Sequence, residues 1–317
     1  MSNLPWYPTE YSTKPGIKKL NGENHFIVDS LLSSYLDEKR AARSESIEKY
    51  YLEKPIDTDR GFVDIQLANQ KSIMTVACFW MAEQLSKEYG HITLRSEDDY
   101  YVLDNDLTNE SVYVNDKFEV IQTIKSPLCP CSKKCLSCDY PKPNYVNLFD
   151  ALCSQIQEDV CIMQNDQLVA SHVCLPSWWS PAEKMGKSMA EIHSDVPNMN
   201  DTNYQAIWGA CLNKGPFIRF NWGLTDTMVL NQHSDKGIGK DFDNDNLYLR
   251  VERQVLHGFP PTQSVIFLIR TFVTDVKTLT EDQRLTLVNA IENMTEEELE
   301  YKGLTKHRDR VILSCVN

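Results

Sequence analysis

The densest metal-binding chemistry in the chain is Cys129, Cys131, Cys135 and Cys138, spaced C-x-C-x3-C-x2-C in a polar, proline-flanked loop. Four thiolates this close suit a tetrahedral zinc site. An iron–sulfur cluster is a lesser alternative, since they miss the plant-type ferredoxin spacing by one residue, and an unligated or redox-active loop is the third reading. His193, in EIHSDVP, stands at the end of a short helix ahead of Pro197. Its ring is thus held on a fixed backbone, either capping the helix or serving as a ligand. In LYLRVERQVL the period of two puts Arg250, Glu252 and Gln254 on one strand face and Val251, Arg253 and Val255 on the other. That first face is either a solvated surface with an exposed ion pair or a pocket wall carrying an anion clamp and a proton-transfer group. The run Asp241 to Glu252 imitates a calcium loop, but Asn246 replaces the required glycine and its tail reads as a strand. Gly237-Ile238-Gly239 lacks the third glycine and the strand and helix of a dinucleotide site, so no nicotinamide or flavin site is expected.

These groups need a scaffold. From Gln66 to Tyr89, apolar residues at Ile73, Val76, Ala77, Trp80 and Leu85 follow a helical stripe that ends at Gly90, a C-cap residue. Residues 1 to about 40 show little periodicity and read as an irregular arm. HITLRSEDDYYVLDND and SVYVNDKFEVIQTI read as strands, as do SQIQEDVCIM and LVASHVCL around the turn at 164–167. Further strands are expected at PFIRFNWGL, LYLRVERQVL and SVIFLIRTFV, with helices near Met185–Ile192 and Asn203–Leu212. Two acid-started helices, TEDQRLTLVNAIENM and TEEELEYKGL, follow near the C-terminus. The sum is an α+β fold with a mainly antiparallel sheet, flanking helices and a helical C-terminus.

At 317 residues and 42% hydrophobic content, the chain can bury a large core as one domain or two packed ones. Its net charge of −13, with no basic stripe, excludes a nucleic-acid surface. No secretory signal or membrane-length apolar run is visible, so a soluble cytoplasmic protein with mostly reduced cysteines is expected.

QEDV at residues 157–160, SWWSPAEKMGKSMAEIHSDVP from Ser177 to Pro197, RFNWGL from Arg219, LRVERQVL from Leu249 and YKGL from Tyr301 stand in an order that resembles the haem-dependent oxidative N-demethylase family. The resemblance spans roughly residues 145–305. It implies a PAS-like haem-binding catalytic region over residues 145–317, preceded by an N-terminal arm with helical and irregular parts and the cysteine loop over 1–144. It further implies a haem b monooxygenase that uses dioxygen to convert a secondary amine such as dimethylamine to a primary amine and formaldehyde. Electrons would then come from a separate flavin and iron–sulfur partner. His193 matches the family's axial ligand. His172, on a strand nearby, is the runner-up and reads better as a core histidine. Arg219, Arg250 and Arg253 are candidate partners for the haem propionates, and Lys184 either joins them or covers the surface. Glu252 would orient Arg250 or transfer protons, and Trp222 would wall the cavity and face an amine cation. A PAS-like haem domain can also serve as a gas or redox sensor without turnover. A zinc-stabilised interaction protein that has lost haem is a third reading.

Overall fold

The computed structural model describes residues 16–54, 63–125, 144–199, 202–242 and 246–316. The fold is α+β, with two antiparallel sheets and ten α-helices among the described residues. The chain begins with β1 (Lys18–Lys19), α1 (Leu32–Glu45), α2 (Ile47–Tyr50) and β2 (Tyr51–Glu53), followed by the long α3 (Val63–Tyr89). Gly90 ends α3 with a φ of +75°, the left-handed conformation that glycine adopts without a Cβ penalty. A four-stranded meander follows: β3 (Ile92–Ser96), β4 (Tyr100–Asn105), β5 (Glu110–Asn115) and β6 (Val120–Lys125). Its inward residues Ile92, Leu103, Val112 and Val114 share one core with Ala77, Met81 and Leu85 of α3.

Next come α4 (Leu148–Cys153), β7 (Asp159–Gln164), β8 (Gln167–His172), α5 (Pro181–Lys184), α6 (Met189–Ile192) and α7 (Tyr204–Lys214). Three long strands, β9 (Phe217–Thr225), β10 (Tyr248–Phe259) and β11 (Ser264–Asp275), then precede α8 (Glu281–Glu292), α9 (Glu296–Tyr301) and α10 (Arg308–Val316). The larger sheet has the order β1-β9-β10-β11-β7-β8-β2, so both of its edges come from the N-terminal part of the chain. β10 and β11 form an unbroken hairpin in register from Tyr248↔Asp275 to Phe259↔Ser264.

Alternation gives this sheet two different faces. Leu249 and Val251 of β10, with Trp222 and Leu224 of β9, pack under Leu287, Ile291 and Leu299 of the C-terminal helices. Each such fully buried side chain contributes about 1.5–3 kcal/mol. α8 and α9 each open with a capping box, Thr280 with Gln283 and Thr295 with Glu298, which satisfies the first free backbone N–H groups. The opposite face carries Arg250, Glu252, Gln254 and Leu256, and α5, α6 and α7 lie over it. α7 approaches closely at Gly258, where a Cβ would collide with the Leu212 carbonyl.

The structure corrects two of the expected elements. Residues 1 to about 40 do not form an irregular arm throughout, because α1 begins at Leu32 and buries Tyr35, Leu36, Lys39 and Ala42. Its inward stripe contains a lysine. The Lys39 ammonium donates to the carbonyls of Cys153 and Glu158 and lies 3.7 Å from Asp159. The expected helix at Met185–Ile192 is instead two single turns, α5 and α6, separated at Gly186.

Candidate functional site

The polar face of the larger sheet forms the floor of a cavity of about 450 Å³. This falls within the size range of small-molecule sites. Its apolar wall comes from Leu256, Val265 and Phe267 on the sheet and from Met189, Ile192 and Ile207 above it. His193, Lys184, Arg219, Glu252, Lys240 and Lys302 bring ionisable groups to the same space.

Glu252 is held from three sides. Its Oε1 accepts from the Ser177 hydroxyl, and its Oε2 accepts from Gln254 Nε2 at 2.8 Å and Asn221 Nδ2 at 3.4 Å. Arg250 is buried, at 2% exposure, and its guanidinium is occupied by protein acceptors. Nε donates to Ser177 Oγ at 2.7 Å, and one terminal nitrogen donates to the carbonyls of Leu175 and Leu230, each at 2.9 Å. The same loop is tied down from below, where the Asp159 carboxylate accepts from the backbone N–H groups of Cys174 and Leu175 at 3.0 and 2.9 Å. Arg250 and Asp159 therefore fix the 174–177 turn, and that turn delivers Ser177 to Glu252.

His193 is the C-cap of α6, whose start is fixed by a capping box between Ser188 and Glu191. Its Nδ1 lies 2.7 Å from the Met189 carbonyl. A carbonyl only accepts, so Nδ1 carries the proton and Nε2 carries the lone pair, the tautomer of a metal-ligating imidazole. Burial, aided by the positive charges of Arg219 and Lys184, outweighs the carbonyl contact and pushes the His193 pKa below its ordinary value. The Tyr204 ring stacks against it at 6.2 Å. Cys161 and Cys211 also border the cavity. Burial raises both thiols, Cys211 to about 11, so each stays protonated and is a poorer ligand than the neutral imidazole.

The cations come from four separate segments. Lys184 donates to the Ile192 carbonyl at 3.2 Å and lies 3.8 Å from Asp195. Arg219 comes from β9, and Lys240 rests over the Trp178 ring at 4.8 Å. Lys302 follows α9 and donates to the Trp222 carbonyl at 2.7 Å and to Asn221 Oδ1 at 3.3 Å. Gly303, with a φ of +71°, makes the left-handed turn behind it and lets Leu304 N reach the Leu299 carbonyl. Burial lowers the Lys302 pKa to about 8.

The cavity brings together His193, Lys184, Arg219, Arg250 and Glu252. Arg253 does not border it. It points to the other face and donates to the carbonyls of Asn24 and His25, pinning the irregular segment that leads from β1 to α1. Arg250 borders the cavity, but its hydrogen bonds go to protein carbonyls and Ser177, so it acts on the loop. Trp222 touches the cavity edge while its ring sits in the apolar layer beneath the C-terminal helices. The indoles of Trp178 and Trp179 belong to the cavity instead. Gly223 leaves room for Trp178, whose ring would lie 3.4 Å from a Cβ there. His172 is a fully buried core histidine, with Nε2 3.0 Å from Asp150 and 3.2 Å from Ser154 Oγ. The cysteines at 129, 131, 135 and 138 lie outside the described residues. Among the described residues no group of three or more His, Cys, Asp or Glu is arranged to hold a metal ion. Sequence reasoning missed Ser177, Asn221, Lys240 and Lys302. A signal existed for Lys302, since Y-K-G-L is a helix C-cap pattern that turns the lysine back over the sheet.

The donor set fits haem. It offers a neutral imidazole with Nε2 available, an apolar wall, and Lys184 and Arg219 as cationic partners for carboxylates. A family model described as haem-dependent oxidative N-demethylase, alpha subunit-like, matches residues 16–312.

Proposed function

Since the chain belongs to the haem-dependent oxidative N-demethylase, alpha subunit-like family, we propose that it is a haem b monooxygenase that removes an N-methyl group from a small secondary amine, such as dimethylamine, leaving the primary amine and formaldehyde. The observation that carries this reading is the meeting of His193, with its proton fixed on Nδ1, and the triply held Glu252 in one partly apolar cavity.

Haem, when bound, supplies the redox and dioxygen chemistry that no amino-acid side chain provides. His193 Nε2 holds its iron, and Lys184 and Arg219 hold its propionates. Glu252 receives the cationic amine as counter-ion, and its carboxylate takes the ammonium proton when the amine must become neutral. Ser177, Asn221 and Gln254 keep that carboxylate at a fixed position and angle, which limits the amine to one pose. Trp178, Trp179 and the aliphatic wall exclude water from the reacting end. The antiparallel run β9-β10-β11-β7-β8, with short helices laid over one face, supports a PAS-like description of this region.

Electrons come in this reading from a separate flavin and iron–sulfur partner, in keeping with a family described as alpha subunit-like. The six described cysteines are buried and free, which suits the reducing cytoplasm. The test uses protein purified from haem-supplemented cells, incubated with dimethylamine, dioxygen and a flavin and iron–sulfur reductase. Formaldehyde should appear in step with amine loss, and dimethylamine should shift the Soret band. A haem-loaded protein that yields no formaldehyde with any reductant overturns the proposal.

A further inference from the structure

Lys302 has no place in the chemistry assigned above, yet the residue is buried, at 7% exposure, on the cavity wall. A methionine would fill the same space without the cost of desolvating a charge. The position of Lys302 is specific. Its Nζ donates to Asn221 Oδ1, and the other end of that amide, Nδ2, donates to Glu252 Oε2. One side-chain amide thus joins the lysine to the carboxylate that faces the cavity. A small secondary amine also carries an alkylammonium group, chemically the same cation as the end of a lysine.

Resting on the amine chemistry proposed for this cavity, we infer that Lys302 and the substrate ammonium compete for Glu252, so that the lysine filters which cations bind and when. With Lys302 charged, Glu252 is already partly neutralised and an entering ammonium meets a like charge. With Lys302 neutral, the carboxylate is available to the substrate.

The charged neighbours of Lys302 set its balance. Glu252 on β10 favours its charged form, while Arg219 on β9 and Lys240 oppose it, and burial opposes it most. Tyr301, the adjacent residue, also borders the cavity, and its phenol is pushed up by burial. Glu183, Lys184, His193 and Asp195 border the same cavity. Because the folded pKa is lowered to about 8, the lysine changes charge close to neutral pH. An alkylammonium substrate stays cationic up to roughly pH 10.

The test is a dimethylammonium titration of the haem-loaded full-length protein, read by Soret difference from pH 6.5 to 9.5 at constant ionic strength. Wild-type affinity should rise as pH passes about 8. Lys302→Met should bind on the order of tenfold tighter than wild type at pH 7, from removal of one like charge, with no rise near pH 8. Lys302→Arg, charged throughout, should bind weakly across the range. Superimposable wild-type and Lys302→Met profiles, or a Lys302→Arg profile that follows wild type, overturn the inference. Lys302-dependent binding without formaldehyde would remove the demethylase reading and leave the filter standing. Turnover with the same KM-against-pH curve in wild type and Lys302→Met would do the reverse.

Discussion

Arg250 and Glu252, two residues apart on one face of β10, are joined through the hydroxyl of Ser177, which accepts from Arg250 Nε and donates to Glu252 Oε1. The direction of those hydrogen bonds matters. Because arginine can only donate, it fixes the serine proton on the side of the carboxylate. Removing the hydroxyl leaves Arg250 with its carbonyl partners and Glu252 with two amide donors, so the fold should survive. Because the buried Arg250 Nε and Glu252 Oε1 each lose a partner, Ser177→Ala should cost about 1–3 kcal/mol in chemical denaturation. It should raise KM for the amine several-fold while leaving the Soret spectrum of the amine-free protein unchanged. A Soret shift in the amine-free variant would show that the serine serves haem and not the substrate end.

Two histidines near the same region should behave in opposite ways. His193→Ala removes the proposed iron ligand from a partly exposed helix end, so the Soret band should be lost or displaced with little change in the stability of the haem-free protein. His172→Ala opens a cavity in the core and strips a donor from Asp150, so it should cost about 2–4 kcal/mol while the Soret band stays in place. Absorption spectra and urea denaturation of the two variants side by side separate the roles. Loss of the band in His172→Ala alone would reverse the ligand assignment.

Asp150 predicts a pH window. Burial alone would raise its pKa, but the His172 hydrogen bond and the bidentate Arg43 pair, at 2.9 and 2.6 Å, outweigh it and hold the carboxyl at about 2. An unfolded-chain aspartate titrates near 4, so the depressed folded value stabilises the protein by about 2–3 kcal/mol. That contribution is complete above pH 4 or so and is lost as pH falls through about 2. The stability gap between wild type and Asp150→Asn, measured by denaturant titration, should therefore be constant from pH 7 to pH 5 and shrink below pH 4. A gap that does not change with pH would assign the effect of the substitution to packing.

Much of the scaffold was legible because alternation and capping are local. The β9, β10 and β11 strands, the split of Arg250 and Arg253 to opposite faces, and the Gly90 stop all follow from spacing within a few residues. The same alternation, applied to RFNWGL, would have put the Trp222 ring opposite Arg219; reading the aromatic as part of a motif obscured this. Helix α1 was hidden for a different reason. Its buried stripe of Tyr35, Leu36, Lys39 and Ala42 contains a charge that is satisfied by two carbonyls and Asp159 from distant segments, which no local window shows. Lys39→Ala should accordingly lower stability by about 3–5 kcal/mol, since it strands a buried carboxylate. Urea denaturation of Lys39→Ala beside an exposed control such as Lys87→Ala measures this. Equal midpoints would mean that Asp159 finds other partners.

Arg219 and Arg253 face opposite sides of the sheet, and the distinction can be tested without turnover. Arg219 borders the cavity, so Arg219→Ala should weaken the hold on a haem propionate and speed transfer of haem to an apomyoglobin acceptor. Arg253 donates to the carbonyls of Asn24 and His25, while Glu88 and Glu158 accept from the backbone N–H groups of Phe26 and Ile27. It is one of several clasps on this entry segment. Arg253→Ala should leave haem transfer at the wild-type rate and open the segment before Asp29 to limited proteolysis. The two readouts should not cross, because β10 separates the clasp from the cavity; faster haem loss in Arg253→Ala would mean that the entry segment itself closes the site.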